Sequence, residues 1–504
     1  MAEEEERVAI DKASDDQRLR PTELWVDLQG PTDFLYRLWI NRTFRKLVPG
    51  LVIFILLLLM PRPSGLSTEG QRALALFIFI AYLWITETFP LPVTAFMAGV
   101  GLLVMGIYTG SDRAERAFAP YAADAVFMVL GSLIMAQGLI SSGGDKLIAN
   151  YLIKYFASST WKLMAGIILM CSAIATVVPG HSVAAFMLPV VYSTVNATDI
   201  KDHKGETAAM IMAIATGCAV GALATPSGGA RNAIAIGYLK NLPNWGGQIT
   251  YLEWVRLALP LTLVLMPVTF VVLALVFKVR NRTLTVEPVY SPEKRGLRPY
   301  LGLAILFATV IMFLTLSDTL SLGAVAMIGG ILMFVFGLLR WDAARGELRW
   351  GVIFIYGAAL TIGKAMEVDE VGTSQWLAGG LFGGLGAVTI LTLIVVVVVI
   401  VASFTNLMSD AAATALFLPI VVPLAILVGE GSGNQAEYAF MVTMATALAS
   451  GFAYITVFGT PPNTIVHASG LVTSKDFMRA GTVLWVASVL ILLVFVNTYW
   501  KAMM

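Results

Sequence analysis

Phe186-Met187-Leu188-Pro189-Val190-Val191 returns later in the chain as Phe417-Leu418-Pro419-Ile420-Val421-Val422, with the two prolines 230 residues apart. Ahead of it, Gly131-Ser132-Leu133-Ile134 has a partner in Gly357-Ala358-Ala359-Leu360, 226 residues on. After it, Ala215-Thr216, Gly221 and Thr225-Pro226-Ser227 answer to Ala445-Thr446, Gly451 and Thr460-Pro461-Pro462, the last at an offset of 235 residues. Three matches in order at a nearly constant spacing read as an internal repeat. The longest polar connector, 278–298, divides the copies. An odd number of membrane crossings between copies inverts one against the other, which is the plan of a secondary transporter.

Composition places the repeat in a bilayer. The 504 residues are 58% apolar and 13% charged, with a mean hydropathy of +0.81. A soluble chain carries about 25% charged residues, so a soluble enzyme and a disordered chain are both excluded. With 33 basic and 32 acidic residues, no basic field exists to attract a nucleic acid. About eleven apolar runs reach or approach the roughly 20 residues of a spanning helix. Others, at 125–153, 179–197, 353–382, 408–429 and 463–473, are short or broken by Gly and Pro. Such backbone survives at membrane depth only where protein or a water-filled cavity satisfies it. The fold class expected is therefore an all-α polytopic membrane protein.

Five regions follow. Residues 1–46 form a polar extension whose acidic start (Glu3 to Glu6) is solvated and whose Arg37, Arg42, Arg45 and Lys46 suit an interfacial helix. It lacks the basic start and short apolar run of a secretory signal peptide. Residues 47–71 hold a first transmembrane helix, 72–278 the first repeat, 279–298 a linker and 299–504 the second repeat. Lys and Arg collect in cytoplasmic loops, so the extension and the linker are both placed in the cytoplasm. Cys171 and Cys218 sit in apolar runs, and His181, His203 and His467 are too scattered for a metal site.

The breaks carry the candidate chemistry. Pro179-Gly180-His181-Ser182 interrupts a helix, and the helix restarting there points orphan amides at the gap, an anion site. Its repeat partner, Thr405-Asn406-Leu407-Met408-Ser409-Asp410-Ala411, carries an acid inside an apolar span, a functional residue by default. Thr225-Pro226-Ser227-Gly228-Gly229-Ala230-Arg231-Asn232 offers a tight loop and a guanidinium able to grip a carboxylate with two parallel bonds. Its partner, Gly459-Thr460-Pro461-Pro462-Asn463, has no charge. Glu87 and Lys364 lie near segment ends and read as interfacial.

Trp84-Ile85-Thr86-Glu87-Thr88-Phe89-Pro90-Leu91-Pro92-Val93-Thr94-Ala95, Trp350-Gly351-Val352-Ile353-Phe354 running into Gly363-Lys364-Ala365, and Gly459-Thr460-Pro461-Pro462-Asn463-Thr464-Ile465-Val466 resemble stretches of the divalent anion/sodium symporter family, carriers of dicarboxylates, citrate and sulfate. The resemblance covers about residues 47–500. It implies a homodimer, about eleven crossings, two re-entrant hairpins and an elevator-type transport domain. It also implies a Ser-Asn-Thr motif in each half, and neither is intact here: the positions read Pro179-Gly180-His181 and Ser409-Asp410-Ala411. The polar residue four positions before the first motif is Ala175, so that half has lost its sodium-binding side chains, and His181 and Arg231 bring positive charge instead. In the second half Thr405 is retained and Asp410 stands in place of an Asn.

The function expected is a secondary active transporter of a small anion, a di- or tricarboxylate, working by the elevator mechanism in the cell (inner) membrane. The anion meets Gly180, His181, Thr225, Ser227, Arg231, Asn232, Ser409, Asp410, Thr460 and Pro461. One coupling cation, Na⁺ or H⁺, sits at Thr405, Met408, Asp410 and Gly459; no other cofactor or metal is expected. A second reading is a sodium-independent exchanger in which Asp410 is a counter-ion for Arg231 or His181. An intramembrane enzyme built on Ser409, His181 and Asp410 lacks an oxyanion-hole signature, and a passive channel lacks a ring of like residues around a pore.

Overall fold

The computed structural model describes residues 42–503 except 87, 197, 199, 201–202, 241–249, 285–295, 349, 368–372, 374–375, 377–388, 431–432 and 458. The readings made for Asp33–Asn41, for Glu87 and for the middle of the linker therefore lie outside the described residues. The first half runs α1 (Arg42–Leu59), α2 (Thr68–Thr86), α3 (Leu91–Val104), α4 (Arg113–Phe118), α5 (Asp124–Ser142), α6 (Gly144–Phe156), α7 (Thr160–Ala175), α8 (Gly180–Asn196), α9 (Lys204–Gly221), α10 (Ala230–Lys240) and α11 (Tyr251–Val276). The second runs α12 (Arg298–Leu320), α13 (Leu322–Val335), α14 (Trp341–Glu347), α15 (Trp350–Glu367), α16 (Ile390–Phe404), α17 (Asp410–Glu430), α18 (Gln435–Ser450), α19 (Pro461–His467) and α20 (Ser474–Phe495). Among the described residues the strand-like pairing is one isolated bridge, Ser159 with Thr283.

Five helical stretches are long and apolar enough to cross a bilayer, and five further apolar helices are 10–17 residues long, shorter than the roughly 20 residues of a single span. Segments 179–197 and 408–429, expected to be interrupted, are continuous helices with Pro189 inside α8 and with Pro419 and Pro423 inside α17. The break lies ahead of each helix instead. A proline inside a helix removes one N–H, which neighbouring helices make tolerable in a bilayer protein. At 125–153 the chain forms a helical hairpin: α5 ends at Gly143, whose φ of +82° only glycine adopts freely, and α6 follows at once. The sequence gave no warning of α10, because Arg231, Asn232 and Gly237 interrupt its apolar pattern. It is nonetheless buried from Arg231 to Leu239.

Two seams organise the body. Helices α5 and α13 pack at backbone distance, since a Cβ on Gly131 would lie 2.4 Å from the Ala326 carbonyl carbon. Small residues permit this approach, which is how helices associate where no hydrophobic force drives them together. Helices α9 and α18, buried on nearly every face, sit at matching places in the two halves. Leu56, Leu59, Val104, Leu275 and Phe307 stay exposed on the outside, as lipid contact requires.

The start of α5 is pinned to the start of α13. Asp124 Oδ1 accepts from the Ser321 hydroxyl at 2.5 Å and from the Gly323 amide at 2.8 Å. Ser321 holds a φ of +78°, unfavourable for a non-glycine residue. Asp124→Ala removes the acceptor that fixes this turn, and is expected to cost about 1–3 kcal/mol. The readout is a fall of several degrees in the unfolding midpoint of the detergent-purified protein.

Candidate functional site

Four helix starts converge on one cavity of about 130 Å³. Pro179, Gly180 and His181 open α8; Gly229, Ala230 and Arg231 open α10; Ser409, Asp410 and Ala411 open α17; Thr460 and Pro461 open α19. Helices α8, α10 and α17 have 17, 11 and 21 residues, long enough for their N-terminal partial charges to favour an anion.

An ion pair crosses this cavity between the two halves. Arg231 Nη1 lies 2.6 Å from Asp410 Oδ2, with the side chains 3% and 17% exposed. The Ala411 amide donates to Asp410 Oδ1 at 2.8 Å, so both carboxylate oxygens have a partner. Arg231 does not: its Nε and Nη2 are buried donors without an acceptor. These two nitrogens form one edge of the guanidinium, the edge that matches a carboxylate with two parallel bonds. The Thr460 hydroxyl, also on the cavity, is buried without a partner. Unpaired buried donors are costly, so the cavity is built to receive an acceptor-rich guest.

Of the residues expected to meet the anion, Gly180, His181, Ser227, Arg231, Ser409, Asp410, Thr460 and Pro461 line this cavity. Thr225 and Asn232 stand behind it and brace the loop. Thr225 accepts from the Gly228 amide at 3.1 Å and donates to the Thr176 carbonyl, while Asn232 Nδ2 donates to the carbonyls of Ala222 and Thr225 at 2.8 and 2.7 Å. The same brace recurs in the second half. Asn463 Nδ2 donates to the carbonyls of Ala453 and Thr456 at 2.8 and 2.9 Å, the Gly459 amide to the Thr456 hydroxyl at 3.2 Å, and that hydroxyl to the Asn406 carbonyl at 2.5 Å.

The hydrogen bonds therefore pair Thr225 with Thr456, not with Thr460. The shared Thr-Pro dipeptide had drawn the sequence match four residues out of register. In the corrected register Arg231 answers to Pro462, and Gly180 to Asp410.

The residues expected at the coupling cation are only partly assembled. The Thr405 hydroxyl donates to the Ser450 carbonyl at 2.6 Å, and a Cβ on Gly459 would lie 3.1 Å from the Thr405 carbonyl oxygen. Thr405 and Gly459 are thus neighbours, and Met408 is buried. Asp410, the one anionic member of the set, is turned to Arg231. In the first half, Ala175 and Gly180 bring no side-chain oxygen. No cluster of three His, Cys, Asp or Glu side chains occurs among the described residues.

A second cavity of about 570 Å³ shares Leu133 and His181 with the first and continues past Gln137 to Asp145 and Lys146. It leads toward the linker face, where Gly143 abuts Pro299. A third, of about 300 Å³, shares Met128 with the central cavity and is lined by Asp124, Lys240 and Lys364. Lys364, which reads from sequence as interfacial, thus lines a cavity. His181 and Met128 stand on opposite sides of the central site.

A helical membrane body with a buried, acceptor-hungry site between two vestibules defines a transport protein rather than an enzyme. The family described as "Sodium:sulfate symporter transmembrane region" matches residues 41–504, and the chain belongs to it. It is 25% identical over 487 residues to the sodium-dependent dicarboxylate transporter SdcS of Staphylococcus aureus, covering 90% of each chain. It is 23% identical over 478 residues to a membrane protein of Cupriavidus necator, covering 89% of this chain and 90% of that one. The solved structure of the Alcanivorax borkumensis YdaH transporter superposes with a TM-score of 0.54 at 14% identity, over 84% of this chain and 98% of that one. That likeness is one of fold.

Proposed function

We propose that the protein carries a small dicarboxylate across the cell membrane, coupled to Na⁺, with the anion bound in the central cavity. The observation that carries this reading is the free Nε/Nη2 edge of the buried Arg231, set among helix N-termini. One carboxylate of the guest takes that edge, and the Thr460 hydroxyl and the amides at Gly180 and Ala230 serve the other polar atoms. The sodium-dependent dicarboxylate transporters among the relatives support both the substrate class and the ion. In this reading the two halves are inverted repeats, the site travels by an elevator movement, and the protein is a homodimer. The extension and the linker are cytoplasmic, so the larger vestibule faces inward. Reconstituted protein is expected to take up labelled succinate several-fold faster under an inward Na⁺ gradient than in choline. Equal uptake that requires internal anion would select the exchanger reading, which the Arg231–Asp410 pair favours.

A further inference from the structure

We propose that Arg231 is an arm shared between Asp410 and the transported anion, and that a cation at Asp410 decides which of them holds it. The inference rests on the dicarboxylate-carrier reading above. One guanidinium faces two competitors. Its Nη1 is held by Asp410 Oδ2 at 2.6 Å, while its Nε and Nη2 have no acceptor. An arriving dianion meets the Asp410 carboxylate at the same site, and like charges at low dielectric repel strongly. If the arm turned to the anion with nothing else changed, Asp410 would be left buried and uncompensated. Na⁺ at Asp410 removes both obstacles, because it neutralises the carboxylate and frees the guanidinium. The anion in turn takes the arm from Asp410 and opens the carboxylate to Na⁺. Each ligand thereby raises the affinity of the other by the same factor.

The repeat shows that the pair is an addition to each half. Arg231 stands where the other copy has Pro462, and Asp410 stands where the other copy has Gly180. Each partner departs from its own repeat mate, and the two meet across the cavity. The arm has a smooth track, since a Cβ on Gly451 would lie 2.9 Å from Arg231 Nε and one on Gly229 3.3 Å from Nη1. Side chains at these glycines would jam it.

The test is succinate binding to the full-length purified protein, with Na⁺ varied against choline at constant ionic strength. The wild type is expected to gain at least tenfold in succinate affinity between zero and saturating Na⁺. Asp410→Asn is expected to bind succinate without Na⁺ as tightly as the sodium-saturated wild type, with less than twofold further response. Asp410→Glu keeps the carboxylate and guards against misfolding of the amide variant. It is expected to shift the Na⁺ concentration for half-effect several-fold, while sodium-saturated succinate affinity stays within threefold. An Asp410→Asn protein that keeps the wild-type Na⁺ response overturns the shared arm alone. So does an Asp410→Glu protein with an unchanged half-effect concentration. A wild type that binds no succinate at any Na⁺ concentration overturns the dicarboxylate reading and the arm with it.

Discussion

Arg231→Gln is expected to abolish succinate uptake and to destabilise the protein at the same time. The substitution removes the guanidinium and leaves Asp410 without its countercharge inside the bundle. Removing one member of a buried pair costs about 3–5 kcal/mol. The lower end applies here, because the Asp410 side chain is 17% exposed. Stability and transport separate in the double variant Arg231→Gln/Asp410→Asn. With both charges gone, the unfolding midpoint is expected to return most of the way to that of the wild type. Uptake is not expected to return, since two charge-assisted bonds to the anion are lost, worth about 100-fold or more in affinity. Thermal unfolding in detergent and uptake by proteoliposomes are measured on the same preparations. A double variant that transports normally would show that Arg231 serves only to balance Asp410.

Gly131→Leu is expected to prevent recovery of a monodisperse protein. The Cβ alone would fall 2.4 Å from the Ala326 carbonyl carbon and 2.5 Å from its oxygen. Overpacking against movable side chains costs about 1–3 kcal/mol. Here the obstacle is backbone, so α5 and α13 must separate and the cost exceeds that range. Separation would also pull apart Met128, Ser132 and Leu133, which line the central cavity. Gly346→Leu is the control. It too lies in a helix, and no atom lies within 4 Å of its added Cβ. Its yield and elution profile on size-exclusion chromatography are expected to match the wild type, whereas Gly131→Leu is expected in the aggregate fraction.

How much could be read ahead of the structure depends on how local each signal is. The breaks at Pro179-Gly180 and Ser409-Asp410 were legible because Pro, Gly and a lone acid stand out in apolar runs. Helix α10 was not, because eleven residues holding Arg231, Asn232 and Gly237 look like loop when read alone. Burial by its neighbours makes it a helix. The true partner of Thr225 was hidden in the same way. Thr456 lies in Tyr454-Ile455-Thr456-Val457, with no proline to mark it, while the Thr460-Pro461 dipeptide offers a better local match. Only the paired Asn232 and Asn463 braces reveal the register.

The sequence by itself determined the solvent, the class of fold and the family. Scarcity of charge, apolar run length and motif order are properties of the chain, and burial in lipid follows from them directly. It also singled out Arg231 and Asp410 as charges at membrane depth. What only the tertiary structure decided is that these two residues, 179 positions apart, are one ion pair. No periodicity or spacing encodes that meeting, because it depends on how α10 and α17 pack across the repeat. The chain supplied the charges, and the packing determined that one guanidinium would answer to two acceptors.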